Sequence, residues 1–285
     1  MREATRRGDN FGERGLRILH ITPRYYPYIG GSELYCQEIS ERLVQDGHQV
    51  TVFTTNAWDI EYFWDPQKAH LSVGKENYHG VEIWRFAVQH VLSSKRSFGA
   101  IRLALRLLAS IPVNTRFLLF RLCTLVPWVP DLERELTLEA REHAYDIVHV
   151  TNICFDSLIY SAYRFARQMK IPFVITPFVH LGEREDDTVR RYYTMPHQMS
   201  MLRSSDAVIV QTELERQYLL SQGIVADRIH KVGVGINPER LCGGCAERFR
   251  AKHHIEAPIV FYIGTQAYDK GTIHLVEAMR KLWEC

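Results

Sequence analysis

The strongest constraint on this chain is one unit that recurs along it: a short β-branched run, a turn, then an amphipathic stretch with apolar residues every three or four positions. The first copy is RILHIT (17 to 22), a loop holding Pro23, Pro27, Gly30 and Gly31, a helix N-capped at Ser32 and ended by Gly47, then QVTVFTT (49 to 55). DIVHV (146 to 150) leads to a helix near 156 to 169, and PFVIT (172 to 176) to a loop and a helix near 188 to 203. DAVIV (206 to 210) precedes a helix at 213 to 222. IHKVGVGIN (229 to 237) reads as a short strand with a Gly-rich exit, followed by a polar helix at about 238 to 253. This alternation predicts an α/β fold built on a parallel sheet.

A fresh unit then opens with PIVFYIG (258 to 264), a glycine turn and a helix over 272 to 283. One β-α unit cannot cover both its faces, so the reading is a second domain that stops soon after it begins and leaves apolar surface. Residues 1–15 are polar, lack the apolar centre of a signal peptide and read as a frayed tail. The longest uncharged runs between 101 and 130 are nine residues, far short of the roughly 20 a spanning helix needs.

With 35 basic and 33 acidic residues the formal charge is +2, which supplies no global attraction to nucleic acid. The six cysteines (36, 123, 154, 242, 245 and 285) are scattered, and three lie in apolar periodic stretches, which fits a reducing, cytoplasmic setting. Cys242 and Cys245 form one CxxC with no second pair or histidine nearby, and read as a Gly-rich loop rather than a zinc or redox site.

In an open parallel sheet the loop after the first strand lies at the carboxyl edge, where ligands bind. Gly30 and Gly31 sit there, letting a ligand approach the backbone and leaving N–H groups free at a helix N-terminus. No G-x-G-x-x-G follows the first strand, and the second ends in Thr55-Asn56 rather than an acid, which disfavours a nicotinamide enzyme. No P-loop, G-x-S-x-G elbow, H-E-x-x-H helix or Asp-x-Asp pair is present.

In order, GGSELYCQEISERLVQDGHQVTVFTT, DIVHV, IPFVITPFVH, DAVIVQTELERQYLLSQG, KVGVGINPERL and FYIGTQAYDKGTIHLVEAM resemble family 4 glycosyltransferases of the GT-B fold over roughly residues 16 to 285. The resemblance implies a Rossmann-like, acceptor-side domain over 16–235 and the start of a nucleotide-sugar-binding domain over 236–285. It implies transfer of a hexose-like sugar, with retention, from a nucleotide diphosphate-sugar to a saccharide or lipid-linked acceptor, with no metal or other cofactor.

By the same resemblance, Gly30 and Gly31 border the acceptor side and His180, ending ITPFVH, reaches the reacting sugar. An imidazole there can donate or accept a hydrogen bond near the anomeric carbon. His20 and His149 lie in strands and read as core. In the second domain Gly264, Thr265, Lys270 and Gly271 fall where the family places a Gly-Arg pair and a Lys-Gly pair for the departing diphosphate. Thr265, followed by Gln266, replaces the arginine and offers a hydrogen bond but no charge. Val234-Gly235-Ile236-Asn237 stands where the family commonly has Asn-Gly-Val-Asp, and the family's Glu-x7-Glu pair would fall beyond residue 285.

Two segments stay open. The acidic group Glu183, Glu185, Asp186 and Asp187 reads as a solvated loop, with cation gathering or acceptor shaping as the sharper reading. Residues 95–130 combine Lys95, Arg96, Arg102, Arg106, Arg116 and Arg121 with Leu, Phe and Trp128 and hold no acidic residue. They fit an interfacial helix on the anionic inner face of a membrane, or a core-facing helix with exposed arginines. The competing functional class is a non-catalytic acceptor- or partner-binding module.

Overall fold

The computed structural model describes residues 15–91, 95–142, 145–182, 189–264, 266 and 270–284. Its chain divides into two compact units, one ending at Val234 and the other running from Gly235. The first is built on an eight-stranded sheet of β1 (Arg17–Ile21), β2 (Gln49–Thr55), β3 (Gly74–Tyr78), β4 (Val81–Phe86), β5 (Ile147–Thr151), β6 (Phe173–Thr176), β7 (Ala207–Val210) and β8 (Ile229–Lys231). The spatial order is β3-β4-β2-β1-β5-β6-β7-β8, and every pairing is parallel except the β3–β4 edge hairpin.

Side chains alternate between the faces of each strand. Leu19, Ile21, Phe53, Val148, Val150, Phe173 and Ile175 point to one face. There they meet Leu132 and Leu136 of α4 (Pro130–Glu142) and Leu158, Ile159, Ala162 and Phe165 of α5 (Asp156–Met169). Ile18, Val50, Val52, Val81 and Ile83 point the other way and pack with Cys36 of α1 (Gly31–Gln45). Burial on both faces explains why the central strands read as near-continuous apolar runs.

Helix α1 begins at Gly31, so its N-cap lies two residues before the expected Ser32. Gly30 is its N-cap and no side chain caps it. Ser32 turns its hydroxyl to Glu33 instead (Oγ to Oε2, 3.0 Å), so the backbone donors of the first turn keep no side-chain acceptor. At the other end Gly47, at φ +88°, takes the left-handed turn that closes the helix.

Chain order reverses at β1: β2 and β4 lie on one side, β5 and β6 on the other. That is a topological switch point, where open α/β sheets form their ligand crevice. Between β4 and α4 the chain makes α2 (Lys95–Ser110) and α3 (Arg116–Cys123), which pack on each other around Leu105, Leu119 and Cys123. Arg102 of α2 fixes this pair to the sheet layer. It reaches Asp156, fully buried at the start of α5, at 2.5 Å.

Two expected helices are shorter. The helix after β6 begins only at Pro196 (α6, Pro196–Ser204), because proline at the first position sets its start; a 3-10 turn, Arg190–Tyr192, precedes it. Helix α7 spans Glu213–Ser221. In the second unit the expected helix over 238 to 253 splits into α8 (Pro238–Leu241) and α9 (Ala246–His253), with Gly243 and Gly244 between them. The Cys245 thiol accepts from the Arg248 N–H and caps α9. No group of three metal-ligating side chains occurs among the described residues.

The expected strand PIVFYIG is not a strand, which corrects the reading of 258–264. Among the described residues the second unit has no strand for it to pair with, and Phe261 and Ile263 are 72% and 83% exposed. Helix α10 (Thr272–Trp283) does form, with Val276, Leu282 and Trp283 exposed. Among the described residues the second unit therefore holds helices and no strand.

Candidate functional site

Three loops leave the carboxyl edge of the sheet after β1, β2 and β6; β1 and β2 are neighbours, and β5 stands between β1 and β6. The β1 loop is braced from inside by Arg24. Its guanidinium pairs with Glu33 of α1 at 2.8 Å, donates to the Trp58 carbonyl after β2 at 3.1 Å, and lies 3.8 Å over the Tyr28 ring. Arg24 and Glu33 are both buried, so each needs the other to offset its desolvation. The sequence hid this pair because nine positions separate two residues that would ordinarily be read as surface charges.

The two glycines differ in what they are for. A Cβ on Gly30 would stand 2.4 Å from Glu33 Oε2 and 2.9 Å from the Tyr28 ring. Space, not backbone angle, therefore demands glycine there, since φ is an ordinary −142°. A Cβ on Gly31 would meet nothing within 4 Å. Gly31 is exposed at the positive end of α1, where an anion or a polar hydroxyl finds unpaired N–H groups.

His180 is exposed on the loop after β6. Its ring lies 5.6 Å from that of Tyr193. Phe178, two residues before it, takes a left-handed backbone (φ +48°) and sets its ring edge against Tyr35 of α1 at 5.5 Å. Tyr35 thereby ties the helix begun by Gly31 to the loop carrying His180. The same loop is held by Glu215 of α7, whose carboxylate accepts from the Val179 N–H at 2.8 Å and the Gln211 N–H at 3.0 Å. Burial raises the Glu215 carboxyl above its usual range, against the lowering effect of those two N–H groups.

Within the sheet His20 and His149, register partners on β1 and β5, face each other with 2.8 Å between their Nδ1 atoms. His149 Nε2 reaches the Thr176 hydroxyl at 2.8 Å, and Thr151 donates to Thr22 at 2.9 Å. Both imidazoles are buried. Desolvation pushes His149 down to about 4 and His20 well below its ordinary value, where the neighbouring His149 adds to the effect. Two buried neutral rings sharing one proton position are part of the sheet's interior, not an exposed acid or base.

The remaining sequence candidates belong to the second unit. Gly271 N-caps α10 at φ +73°, a left-handed conformation that suits glycine. Lys270 precedes it and is exposed, and Gly264 lies at φ +154° beside the Tyr262 ring. Thr265 lies outside the described residues, as do Glu183, Glu185, Asp186 and Asp187.

A family model for a glycosyl transferase 4-like domain matches residues 30–235, from Gly30 through the last strand of the sheet. The chain belongs to this family. No curated protein matches it. Among solved structures, the chain is similar to Anabaena HepE in complex with UDP (13% identity, 84% of this chain and 50% of that one, TM-score 0.49). It is similar also to a glycosyltransferase from Rickettsia africae (17% identity, 94% and 57%, TM-score 0.47). The catalytic domain of Arabidopsis thaliana starch synthase IV, bound to ADP and acarbose, is a third (13%, 79% and 52%, TM-score 0.45). The chain spans about half the length of these proteins. The matched family region holds Gly30, Gly31, Glu33, Tyr35, Phe178, His180 and Glu215, while His20, Arg24 and Tyr28 precede it.

Proposed function

We propose that this glycosyl transferase 4-like chain forms the acceptor side of an enzyme that moves a sugar, with retention, from a nucleotide diphosphate-sugar to a saccharide or lipid-linked acceptor. The observation that carries this reading is the tie between the open N-terminus of α1 at Gly31 and the loop of His180, made by Tyr35 against Phe178. Both the helix start and the exposed imidazole lie in the region matched by the family, which supports reading them as parts of one ligand site.

In this reading the Gly31 end of α1 receives oxygens of the sugar or acceptor, and His180 hydrogen-bonds a hydroxyl of the transferring sugar. Lys270, Gly271, Gly264 and Thr265 contribute to the diphosphate in the second unit, with Lys270 supplying the charge that stabilises the leaving group. The positive centre is thus a lysine where the family's arginine is replaced by threonine. Incubating the full-length protein with uridine and guanosine diphosphate-sugars, and reading nucleotide diphosphate release and the anomeric configuration of the product by NMR, tests this. Release with a retained anomer is expected; no release from any donor of either base contradicts it.

The α2–α3 pair supports contact with an anionic membrane. Leu103, Leu107, Ile111, Val113, Phe117 and Leu118 are exposed beside the exposed Arg116 and Arg121, and no helix among the described residues is long and apolar enough to cross a bilayer. Apolar insertion plus cationic attraction is how an interfacial helix binds. Sedimentation with vesicles containing phosphatidylglycerol is expected, and its persistence in Phe117→Glu contradicts this surface.

A further inference from the structure

The carboxylate of Glu215 has no part in the roles assigned so far, yet it is buried and both of its oxygens are committed to backbone. Oε1 accepts from the N–H of Val179, the residue next to His180, and Oε2 from the N–H of Gln211 at the end of β7. A loop leaving a strand has backbone donors that must find acceptors when covered. Here one acidic side chain supplies both, 5% exposed and with its own N–H anchored to the Thr212 hydroxyl. The grip falls on the loop that holds Phe178 in a left-handed conformation and presents His180.

We propose that Glu215 is a positioning residue for His180: its carboxylate clamps the loop so that the imidazole is held at the crevice while it never touches substrate itself. This rests on the catalytic reading of His180 above. Charge-assisted bonds of this type are roughly twice as strong as neutral ones, which suits a clamp on an otherwise exposed loop. Burial raises the cost of keeping the carboxyl charged, so the two N–H groups are what make an ionised acceptor tolerable at this position. Glutamine can satisfy one of the two donors and turns an amide N–H₂ toward the other, so it is the graded perturbation. Alanine removes both acceptors.

Two measurements on the full-length protein separate the clamp from the chemistry. Amide hydrogen exchange reads the clamp: in Glu215→Ala exchange at Val179 and Gln211 is expected to quicken about 10- to 100-fold, and in Glu215→Gln at one of the two only. Kinetics read the positioning. In Glu215→Gln kcat is expected to fall about 10- to 100-fold with KM for the donor changed less than about threefold. Adding it to His180→Ala should cost little more than His180→Ala alone. Unchanged exchange at Val179 overturns the clamp. Losses that multiply in the double variant, or a change in KM with kcat intact, overturn the positioning role. Should His180→Ala alone retain full turnover, the catalytic reading of His180 falls and takes the positioning role with it, whatever the exchange data show.

Discussion

Replacing each of the two adjacent glycines by alanine should move stability in opposite directions. At Gly30 the new methyl would sit 2.4 Å from Glu33 Oε2 and 2.9 Å from the Tyr28 ring. Neither neighbour can yield freely, because Glu33 is held by Arg24 at 2.8 Å and by Ser32 at 3.0 Å, and Tyr28 lies under the Arg24 guanidinium. Overpacking of this kind costs about 1–3 kcal/mol. A melting point lowered by roughly 2–4 °C per kcal/mol is expected for a domain of this size. At Gly31 the methyl meets nothing within 4 Å and the residue is helical, so alanine should raise stability by up to about 1 kcal/mol. It would also fill the open N-terminus of α1, so a donor- or acceptor-dependent rise in melting point should shrink in Gly31→Ala. Differential scanning calorimetry of both variants, with and without nucleotide-sugar, reads all of this. A Gly30→Ala protein as stable as the parent, or a destabilised Gly31→Ala protein, refutes the distinction drawn between the two positions.

Three further outcomes follow. Below about pH 6.5 the unfolded chain protonates His20 and His149 while the folded chain keeps them neutral, so stability is complete above that pH and is lost as pH falls toward about 4, by about 3 kcal/mol from His149 alone. Urea unfolding at pH 7.5, 5.5 and 4.5 checks this, and a midpoint rising on acidification contradicts it. Arg102→Met takes the guanidinium from buried Asp156, leaving the His197 and Gln198 side chains as its partners, and should cost roughly 1–3 kcal/mol, read as early proteolysis within 95 to 123; parent-like resistance contradicts it. Thr212→Ala removes the hydroxyl that caps α7 at the Glu215 N–H and should lower stability by about 1 kcal/mol, measured by denaturant midpoint.

The parallel core was legible because its strands are buried on both faces and announce themselves as β-branched runs, as in β1, β2 and β5. The edge hairpin was not: β3 reads GKENY and is exposed along nearly its whole length, so no apolar pattern marks it. The run PIVFYIG shows the converse. Its composition favours a strand, but a strand needs a paired neighbour, and local propensity cannot provide one. At the candidate site the glycines could be singled out from their position in the α/β unit, and His180 through the family resemblance. The groups that hold them could not, because Arg24, Glu33 and Glu215 are ordinary surface residue types whose partners are set by tertiary contact. Ser32 failed as a cap for a local reason: the helix already begins at Gly31, which puts Ser32 inside its first turn, where its hydroxyl donates to Glu33.

The account stands or falls on the proposed contact of His180 with the transferring sugar. Transfer of radiolabelled sugar from nucleotide diphosphate donor by the full-length protein, compared with its His180→Ala variant at matched folded concentration, tests this most directly. A fall in kcat of about 100-fold or more, with donor affinity kept, is the predicted result. Equal turnover by the two proteins would contradict it.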